Sequence, residues 1–250
     1  MEKKLSVAMD IGEDMLKSGA EIHRVEDSIK RIITALGAKR VDAFIVLSCI
    51  IITVFDENGE SYTQTRQIKN IDTNIEKLHK LNNLSRKICS QNLTLEEIKE
   101  EYKKISNTKN YNNVLKCFSY SLVSSFFAIF FGGNLNDFIT AFFVGAIIGL
   151  VGILCDRLFV NRIFVKFTTS FLASVLAYLA LILEAIASVD MVMIGVVMTL
   201  IPGVGFTNAI RDLFVGDSIS GLLRTIEAVL FALSIAAGYV VATWMFGGIV

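Results

Sequence analysis

The chain has 250 residues, of which 53% are hydrophobic and only 19% are charged, and its mean hydropathy is +0.58. Soluble domains are about 45–50% apolar and about 25% charged, so this composition argues against an ordinary soluble enzyme. It also excludes a disordered chain, which needs few apolar residues and a high net charge. The formal net charge is zero, so we expect no nucleic-acid partner.

The charged residues are concentrated in the first half of the chain. Residues 1–112 carry 18 of the 24 Lys and Arg and 17 of the 24 Asp and Glu, whereas 16 of the 18 Phe lie in residues 113–250. We therefore predict a polar domain over residues 1–112 and a membrane domain over residues 113–250. The first ten residues lack the uninterrupted apolar segment of a secretory signal peptide, so we expect the polar domain to be cytoplasmic.

The polar domain begins with two predicted helices. Apolar residues recur at helical spacing through residues 5–16. A second helix is predicted to begin at a capping box, with Ser18 at the N-cap and Glu21 at N3, and to end at Gly37.

A hairpin and two further helices complete this domain. The apolar run 43–55 is too short to span a membrane and predicts one buried strand. Asn58-Gly59 predicts a type I′ turn, followed by a polar edge strand at 61–68. Helices are predicted near 73–89 and 95–106, the second opened by a capping box of Thr94 and Glu97. The predicted class is a small α+β domain of order ααββαα, which needs an oligomer or the membrane domain to pack against.

Five apolar stretches follow, each about 20 residues long and therefore long enough to cross the hydrocarbon core. They cover residues 114–131, 138–155, 163–183, 191–210 and 221–246. Lys and Arg occur only in alternate connections, which places the N-terminus in the cytoplasm and the C-terminus outside. Many transporters consist of paired repeats, so five spans predict that the other half is another chain.

Metal and cofactor sites are not expected. The four cysteines are widely spaced, without a Cys-x-x-Cys pair or a His at ligand spacing. This pattern predicts reduced, buried thiols and neither a metal site nor a cofactor.

The fourth predicted span contains the chain's only proline, Pro202, followed by Gly203 and Gly205. Proline removes a helix hydrogen bond, and a broken helix within a membrane is tolerated where it lines a cavity. The freed carbonyls and half-helix ends there can bind ions or carboxylates. The alternative is a kink that only shapes packing.

Ionisable residues surround this break. Arg211 and Arg224 suit an anionic substrate because a guanidinium binds carboxylates in a bidentate manner, although both could instead be interface anchors. Asp217 is either functional or the N-cap of the fifth span. Glu227 lies about 9 Å inside that span at 1.5 Å per residue, where a carboxyl is costly and usually paired; Arg224 is on the same helix face.

Two stretches together resemble the threonine/serine exporter family. Gly19-Ala-Glu21-Ile-His23-Arg24-Val-Glu26 is similar to its N-terminal motif, as is the run from the Asn58-Gly59 hairpin to Thr65-Arg66. Pro202-Gly-Val-Gly-Phe-Thr-Asn208-Ala-Ile-Arg211-Asp212 with Gly216-Asp217 is similar to its membrane motif. The resemblance covers nearly the whole chain in the family's order, a cytoplasmic domain followed by five spans.

The resemblance implies half of an exporter with about ten spans. Some members carry both halves in one chain, whereas others divide them between a longer subunit like this one and a short five-span partner. It implies efflux of threonine and serine, or of succinate in the divided bacterial form, driven by the proton motive force for amino acids. The N-terminal domain of the family has been likened to hydrolases, but the sequence shows no catalytic triad.

These observations predict a non-enzymatic subunit of an exporter of small carboxylates in the bacterial inner membrane, assembled as an oligomer with the short partner. We expect the substrate to be bound at the helix break and the residues after it, and protons to be coupled by the nearby carboxyls. The predicted substrate-binding residues are Pro202, Gly203, Gly205, Asn208, Arg211 and Arg224, the proton-coupling residues Asp212, Asp217 and Glu227, and the cytoplasmic motif Glu21, His23, Arg24 and Glu26.

Two alternatives remain open. His23 either lies on a solvated helix face or contacts the membrane domain or a substrate entrance. For the whole chain, the alternative is a membrane-anchored enzyme or sensor that acts through residues 1–112.

Overall fold

The computed structural model describes residues 1–69, 71–91, 93–108, 111–158 and 160–248. These residues form helices and a three-stranded sheet. In chain order the elements are α1 (Glu2–Lys17), α2 (Ile22–Ala35), β1 (Arg40–Val46), β2 (Cys49–Phe55), β3 (Ser61–Gln67), α3 (Ile75–Ser90), α4 (Leu95–Ser106), α5 (Asn113–Phe130), α6 (Leu135–Arg157), α7 (Arg162–Ile182), α8 (Val189–Leu200), α9 (Gly203–Val215) and α10 (Ser218–Phe246).

The chain forms two compact units whose boundary differs from the predicted division at residue 112. The first unit comprises Met1–Lys109 together with Val204–Thr225, and the second comprises Asn110–Gly203 and Ile226–Val250. Helix α9 and the first two turns of α10 therefore fold with the polar N-terminal part of the chain.

The first unit has a core of aliphatic side chains from helices α1 and α2 and from the sheet. Leu5 and Met9 of α1 and Ile29 of α2 are fully buried, as are Ile50 and Ile52 of β2. The helices are amphipathic, so one face of each covers this core while charged residues remain outside. The three strands are antiparallel in the order β1-β2-β3, which places β3 at an edge as predicted.

The prediction of a single strand across residues 43–55 was wrong. The segment forms most of β1 and all of β2, which pair with Arg40 opposite Phe55 and Val46 opposite Cys49. The turn between them is Leu47-Ser48, which lacks the Gly, Asn or Pro that usually marks a turn. The observed order is therefore ααβββαα.

The predicted capping box at Ser18 was also wrong. Ser18 is the C-cap of α1, and its hydroxyl donates a hydrogen bond to the Asp14 carbonyl at 2.7 Å. Glu21 is instead the N-cap of α2. The capping box of Thr94 and Glu97 is confirmed at the start of α4.

The hairpin at Asn58-Gly59 exists, but its turn is not of type I′. Gly59 has φ +83°, whereas Asn58 does not adopt a positive φ, and type I′ requires positive φ at both central residues. The Asp56 carboxylate stabilises the turn by accepting hydrogen bonds from the backbone N–H groups of Asn58 and Glu60.

The second unit contains the long apolar helices. Within the described residues, α5, α6, α7 and α10 are each long and apolar enough to cross a membrane, and the bent pair α8 and α9 makes a fifth span if it is counted as one. The predicted fourth span, residues 191–210, is interrupted at Ile201 and Pro202. Large apolar side chains on the outer faces remain exposed, among them Phe130, Phe143 and Leu233, as expected of surfaces that face lipid.

Small residues allow close packing of these helices. A Cβ atom on Gly145 of α6 would lie 2.7 Å from Ser124 Oγ of α5, and one on Gly195 of α8 would lie 2.3 Å from the Ser124 carbonyl oxygen. The Gly145–Gly149 pattern therefore brings α6 against α5, as small residues do in membrane helices. Hydroxyl groups in α5 and α7 donate mainly to carbonyls of their own helix four residues earlier, as Ser125 does to Ser121, and Ser170 donates across to Ile235.

Helix α8 lies alongside α7. Lys166, near the start of α7, donates from Nζ to the carbonyl of Leu200, the last residue of α8, at 2.6 Å. The end of α8 is therefore at the level of the beginning of α7.

Candidate functional site

The two motifs singled out in the sequence meet within the first compact unit. Glu21 ends the connection between α1 and α2, and His23 lies in the first turn of α2; Asn208, Arg211 and Asp212 lie in α9. Side chains of the second group contact the first group across about 190 positions of sequence. Together with Asp217 and Arg224 these residues form one cluster, which we call the polar cluster.

The backbone of the α1–α2 connection supplies hydrogen-bond acceptors. Gly19 adopts φ +91°, which is costly for any residue with a Cβ. The chain reverses there, and two of its carbonyls accept hydrogen bonds from the cluster. Asn208 Nδ2 donates to the Gly19 carbonyl at 3.2 Å, and Arg224 Nη2 donates to the Ala20 carbonyl at 2.9 Å.

Glu21 links Arg211 to His23. Its Oε1 atom accepts from Arg211 Nη1 at 2.7 Å, and its Oε2 atom lies 3.5 Å from His23 Nε2. The Glu21 side chain is only 13% exposed, whereas that of Arg211 is 54% exposed. The guanidinium is therefore accessible on one side while its other side is held by a carboxylate.

Asp212 and Arg224 form a buried ion pair. Arg224 Nε lies 3.3 Å from Asp212 Oδ2, and the side chains are 7% and 0% exposed. After α9 ends, Gly216 adopts φ +101° and the Asp217 N–H donates to the Asp212 carbonyl at 2.9 Å. This turn brings Asp217 back beside Asp212.

His23, Asp212 and Asp217 converge. Each presents one potential ligand atom, and these three atoms all lie within 4.8 Å of one another. Several buried atoms of the cluster form no hydrogen bond with the described residues: His23 Nδ1, Asp217 Oδ2, both carboxylate oxygens of Asp212, and Glu21 Oε2.

Other predicted site residues lie outside this cluster. Pro202 and Gly203 form the break between α8 and α9, followed by Gly205 in α9. Arg24 is exposed, and Glu26 forms an ion pair with Lys30 on the surface of α2.

Two further positions for which the sequence left alternatives open are Glu227 and Asp217. Glu227 is exposed on α10, and Arg224 turns to Asp212 and the Ala20 carbonyl. Asp217 immediately precedes α10 in the N-cap position, but its Oδ2 atom makes no hydrogen bond to the part of the chain that is described.

Reasoning from the sequence missed the donor set of His23, Asp212 and Asp217. The prediction that no metal site exists rested on the cysteine spacing, which says nothing about a His and two Asp. The available signal was that both motifs were rich in ionisable residues, although no local pattern indicated that they would meet.

Comparison with known proteins covers both motifs. The family model described as "Putative threonine/serine exporter" matches residues 6–246. The chain belongs to the threonine/serine exporter family. Membership of this transporter family, together with the apolar helices, makes it a multi-pass membrane protein.

Two curated proteins similar to this chain are both named "Probable succinate transporter subunit YjjP". The protein from Klebsiella aerogenes is 28% identical over 236 residues, which cover 93% of this chain and 90% of the relative. The protein from Escherichia coli strain K12 is 25% identical over 244 residues, covering 96% and 94%. No solved structure matches this chain.

Proposed function

We propose that this chain is one subunit of a secondary-active exporter that moves small carboxylates, either succinate or threonine and serine, out of the cell. The observation that carries the proposal is the likeness, over at least 90% of both chains, to proteins named as succinate transporter subunits. We further propose a short five-span member of the family as the partner. An odd number of spans supports a second chain, because paired repeats are common in transporters.

Arg211 is the proposed contact for the substrate carboxylate. Its half-exposed guanidinium is bound by Glu21 on one side, so Glu21 occupies a position that a substrate carboxylate can take. Asn208 is the proposed neighbouring donor, and buried Arg224 holds the backbone around them through the Ala20 carbonyl. Substrate binding then exchanges one carboxylate for another on the same arginine.

We also propose that α8 ends on the cytoplasmic side of the membrane. Leu200 ends α8 beside Lys166, and the positive-inside rule assigns Arg162 and Lys166 of α7 to the cytoplasmic side. The chain can then change direction after α8 at Pro202, Gly203 and Gly205. Proline interrupts a helix, and glycine allows backbone conformations that other residues rarely adopt.

Asp212 and Asp217 are the proposed proton-coupling groups next to Arg211, and Glu227 is the proposed third group, further along α10. A carboxyl that changes protonation beside an arginine alters the charge that a substrate meets. The proposed cytoplasmic motif is Glu21, His23, Arg24 and Glu26. Of these, Glu21 and His23 are the residues that interact with the changing charge of the aspartates.

Counterflow in proteoliposomes tests the proposal. The full chain is reconstituted with and without the short partner subunit, and exchange of labelled succinate, threonine and serine is measured. We expect exchange of one substrate class only when both subunits are present. Folded protein that exchanges none of the three in either condition would overturn the proposal.

The alternative function, an enzyme or sensor acting through residues 1–112, has a separate test. It requires ligand binding or activity in the soluble part alone. However, Val204–Thr225 belongs to the same compact unit as the N-terminal residues, so a fragment of residues 1–112 would lack part of that unit. Binding of a ligand by the full chain without any transport would favour this alternative.

A further inference from the structure

The polar cluster contains buried polar atoms that form no hydrogen bond with the described residues. Asp212 is fully buried, and neither of its carboxylate oxygens accepts a well-formed hydrogen bond from the described residues, although the Arg224 guanidinium and the Ile22 backbone N–H are close. His23 Nδ1 and Asp217 Oδ2 are likewise buried without a hydrogen bond in the described part of the chain. Buried polar groups are normally satisfied, because an unmade hydrogen bond costs free energy.

We propose that His23, Asp212 and Asp217 form a binding site for a divalent transition-metal ion such as Zn²⁺. Their ligand atoms lie within 4.8 Å of one another. Ligands at the usual Zn²⁺ distance are roughly 3.3 Å apart in a tetrahedral site, so small side-chain rotations are enough to close the site. The metal would satisfy the three side chains together.

The donor set selects this class of ion. One imidazole nitrogen and two carboxylates suit Zn²⁺ and its neighbours, whereas Mg²⁺ and Ca²⁺ prefer oxygen ligands alone. Three protein ligands leave a fourth position for water or a substrate oxygen. A formal count also favours a cation, since the carboxylates of Glu21, Asp212 and Asp217 outnumber the guanidiniums of Arg211 and Arg224 by one.

The surroundings of His23 match those of a metal ligand. A ligating histidine usually donates its other ring N–H to a carboxylate, which fixes the tautomer. His23 Nε2 lies 3.5 Å from Glu21 Oε2, so a proton on Nε2 leaves the buried Nδ1 with its lone pair free for the metal. The Arg224 guanidinium lowers the affinity of the site for a metal ion, because it already neutralises part of the negative charge of the Asp212 carboxylate.

Such an ion would join α2 to the turn between α9 and α10 within the first compact unit. The same two aspartates are the proposed proton-coupling groups, so metal and protons compete for them. The site is nevertheless tested by metal binding alone, and its result does not depend on whether the chain transports succinate.

The experiment measures binding of Zn²⁺ to the full chain in detergent, purified without a polyhistidine tag and stripped with a chelator. Titration calorimetry and elemental analysis give the affinity and stoichiometry. The test variants are His23→Gln and Asp217→Asn. The matched controls are His79→Gln, at an exposed histidine hydrogen-bonded to Asn83, and Asp27→Asn, in an exposed pair with Arg31.

We expect one equivalent of Zn²⁺ in the wild type and in both controls. Each test variant should bind at least about tenfold more weakly, since even outer-shell changes cost that much. His23→Cys should restore binding, because a thiolate is also a zinc ligand, and this rescue would show that loss in His23→Gln is not misfolding. Mn²⁺ bound in place of Zn²⁺ should show ¹⁴N coupling by pulsed EPR in the wild type and not in His23→Gln.

Two results would overturn the inference. One is folded wild-type protein that retains no Zn²⁺ at equimolar concentration. The other is binding to His23→Gln and Asp217→Asn that equals binding to the two controls.

Discussion

At the scale of single residues, the buried pair of Arg224 and Asp212 should matter most for stability. Removing one partner of a buried pair leaves the other charge uncompensated and costs about 3–5 kcal/mol. We therefore expect Arg224→Met to lower the free energy of unfolding by about that amount. Heating the full chain in detergent and measuring the fraction that remains monodisperse gives the comparison.

Two variants control for this prediction. Arg31→Met removes an exposed ion pair with Asp27 and should cost less than about 1 kcal/mol. Replacing both partners with apolar residues of similar size, Arg224→Met with Asp212→Leu, should recover much of the loss, since no charge remains buried. Equal melting of Arg224→Met and Arg31→Met would contradict the importance of the pair.

Substitution of Arg211 should have the opposite effect. It should weaken transport and change the free energy of unfolding only slightly. Its side chain is half exposed, so losing its pair with Glu21 should cost less than losing the fully buried pair of Arg224 and Asp212. A lost hydrogen bond to a charged substrate group costs about 1.5–3 kcal/mol, so Arg211→Gln should weaken substrate affinity about 10–100-fold. Counterflow at several substrate concentrations measures this, and an unchanged affinity in well-folded protein would contradict the assignment.

At the scale of elements, the sequence predicted what local chemistry controls. The capping box of α4 was predicted because Thr94 and Glu97 are only three positions apart, so the interaction that selects these residue types is local. The division of residues 43–55 into β1 and β2 was missed because the turn at Leu47-Ser48 has ordinary residues and continues an apolar run. The assignment of Ser18 failed because a serine can also close the preceding helix.

The cap of α4 has a pH dependence that can be measured. The pKa of Glu97 lies below its ordinary value because the Thr94 backbone N–H and hydroxyl donate hydrogen bonds to the carboxylate. A lowered pKa in the folded state means that the cap stabilises the protein above the unfolded pKa of about 4.3. This contribution is lost as the pH falls through the folded pKa.

Glu97→Gln should therefore lower the melting temperature near pH 6 and have less effect near pH 3. Glu100→Gln, on an exposed face of the same helix, is the control and should show no such difference. If the effect of Glu97→Gln were the same at both pH values, the carboxylate would not be the source of the cap's stability.

Packing between α5 and α6 gives a prediction with an internal control. A side chain at Gly145 would meet Ser124 Oγ at 2.7 Å and the Tyr120 carbonyl at 2.9 Å, whereas one at Gly152 would meet nothing within 4 Å. Gly145→Leu should force the helices apart and cost about 1–3 kcal/mol or more, while Gly152→Leu should leave the melting temperature nearly unchanged. Equal behaviour of the two variants would mean that α5 and α6 do not pack in this way.

At the scale of the whole molecule, the polar cluster lay beyond local prediction. Both motifs were recognised from the sequence, but Glu21 and Arg211 are separated by 190 positions, and nothing in the periodicity of either segment indicates that they pair. The chain's hydropathy also placed residues 204–210 in a fourth span, since apolar residues continue past Pro202. In the structure, α9 belongs to the same compact unit as the N-terminal part, where Asn208 donates to the Gly19 carbonyl and Arg211 to the Glu21 carboxylate.

This placement of α9 bears on the number of membrane crossings. Helix α8 has 12 residues and is about 18 Å long at 1.5 Å per residue, which is short for a hydrocarbon core of about 30 Å. It either crosses a locally thinned region alongside α7, giving five crossings, or forms part of a re-entrant segment, giving four. Contacts at both ends of α8 favour a crossing. Leu200 at its C-terminal end accepts a hydrogen bond from Lys166 of α7, and Asp190 at its N-terminal end accepts one from Tyr239 of α10 at 3.5 Å.

Five crossings place the two termini on opposite sides of the membrane, and four place them on the same side. The alternation of Lys and Arg then predicts a cytoplasmic N-terminus and an external C-terminus. A C-terminal fusion to alkaline phosphatase, which is active only outside the cytoplasm, should therefore be active, and a C-terminal fusion to green fluorescent protein should be dark. N-terminal fusion to the fluorescent protein is the control and should fluoresce. A fluorescent C-terminal fusion with inactive phosphatase would show four crossings, because α8 and α9 would then return to the side from which they entered.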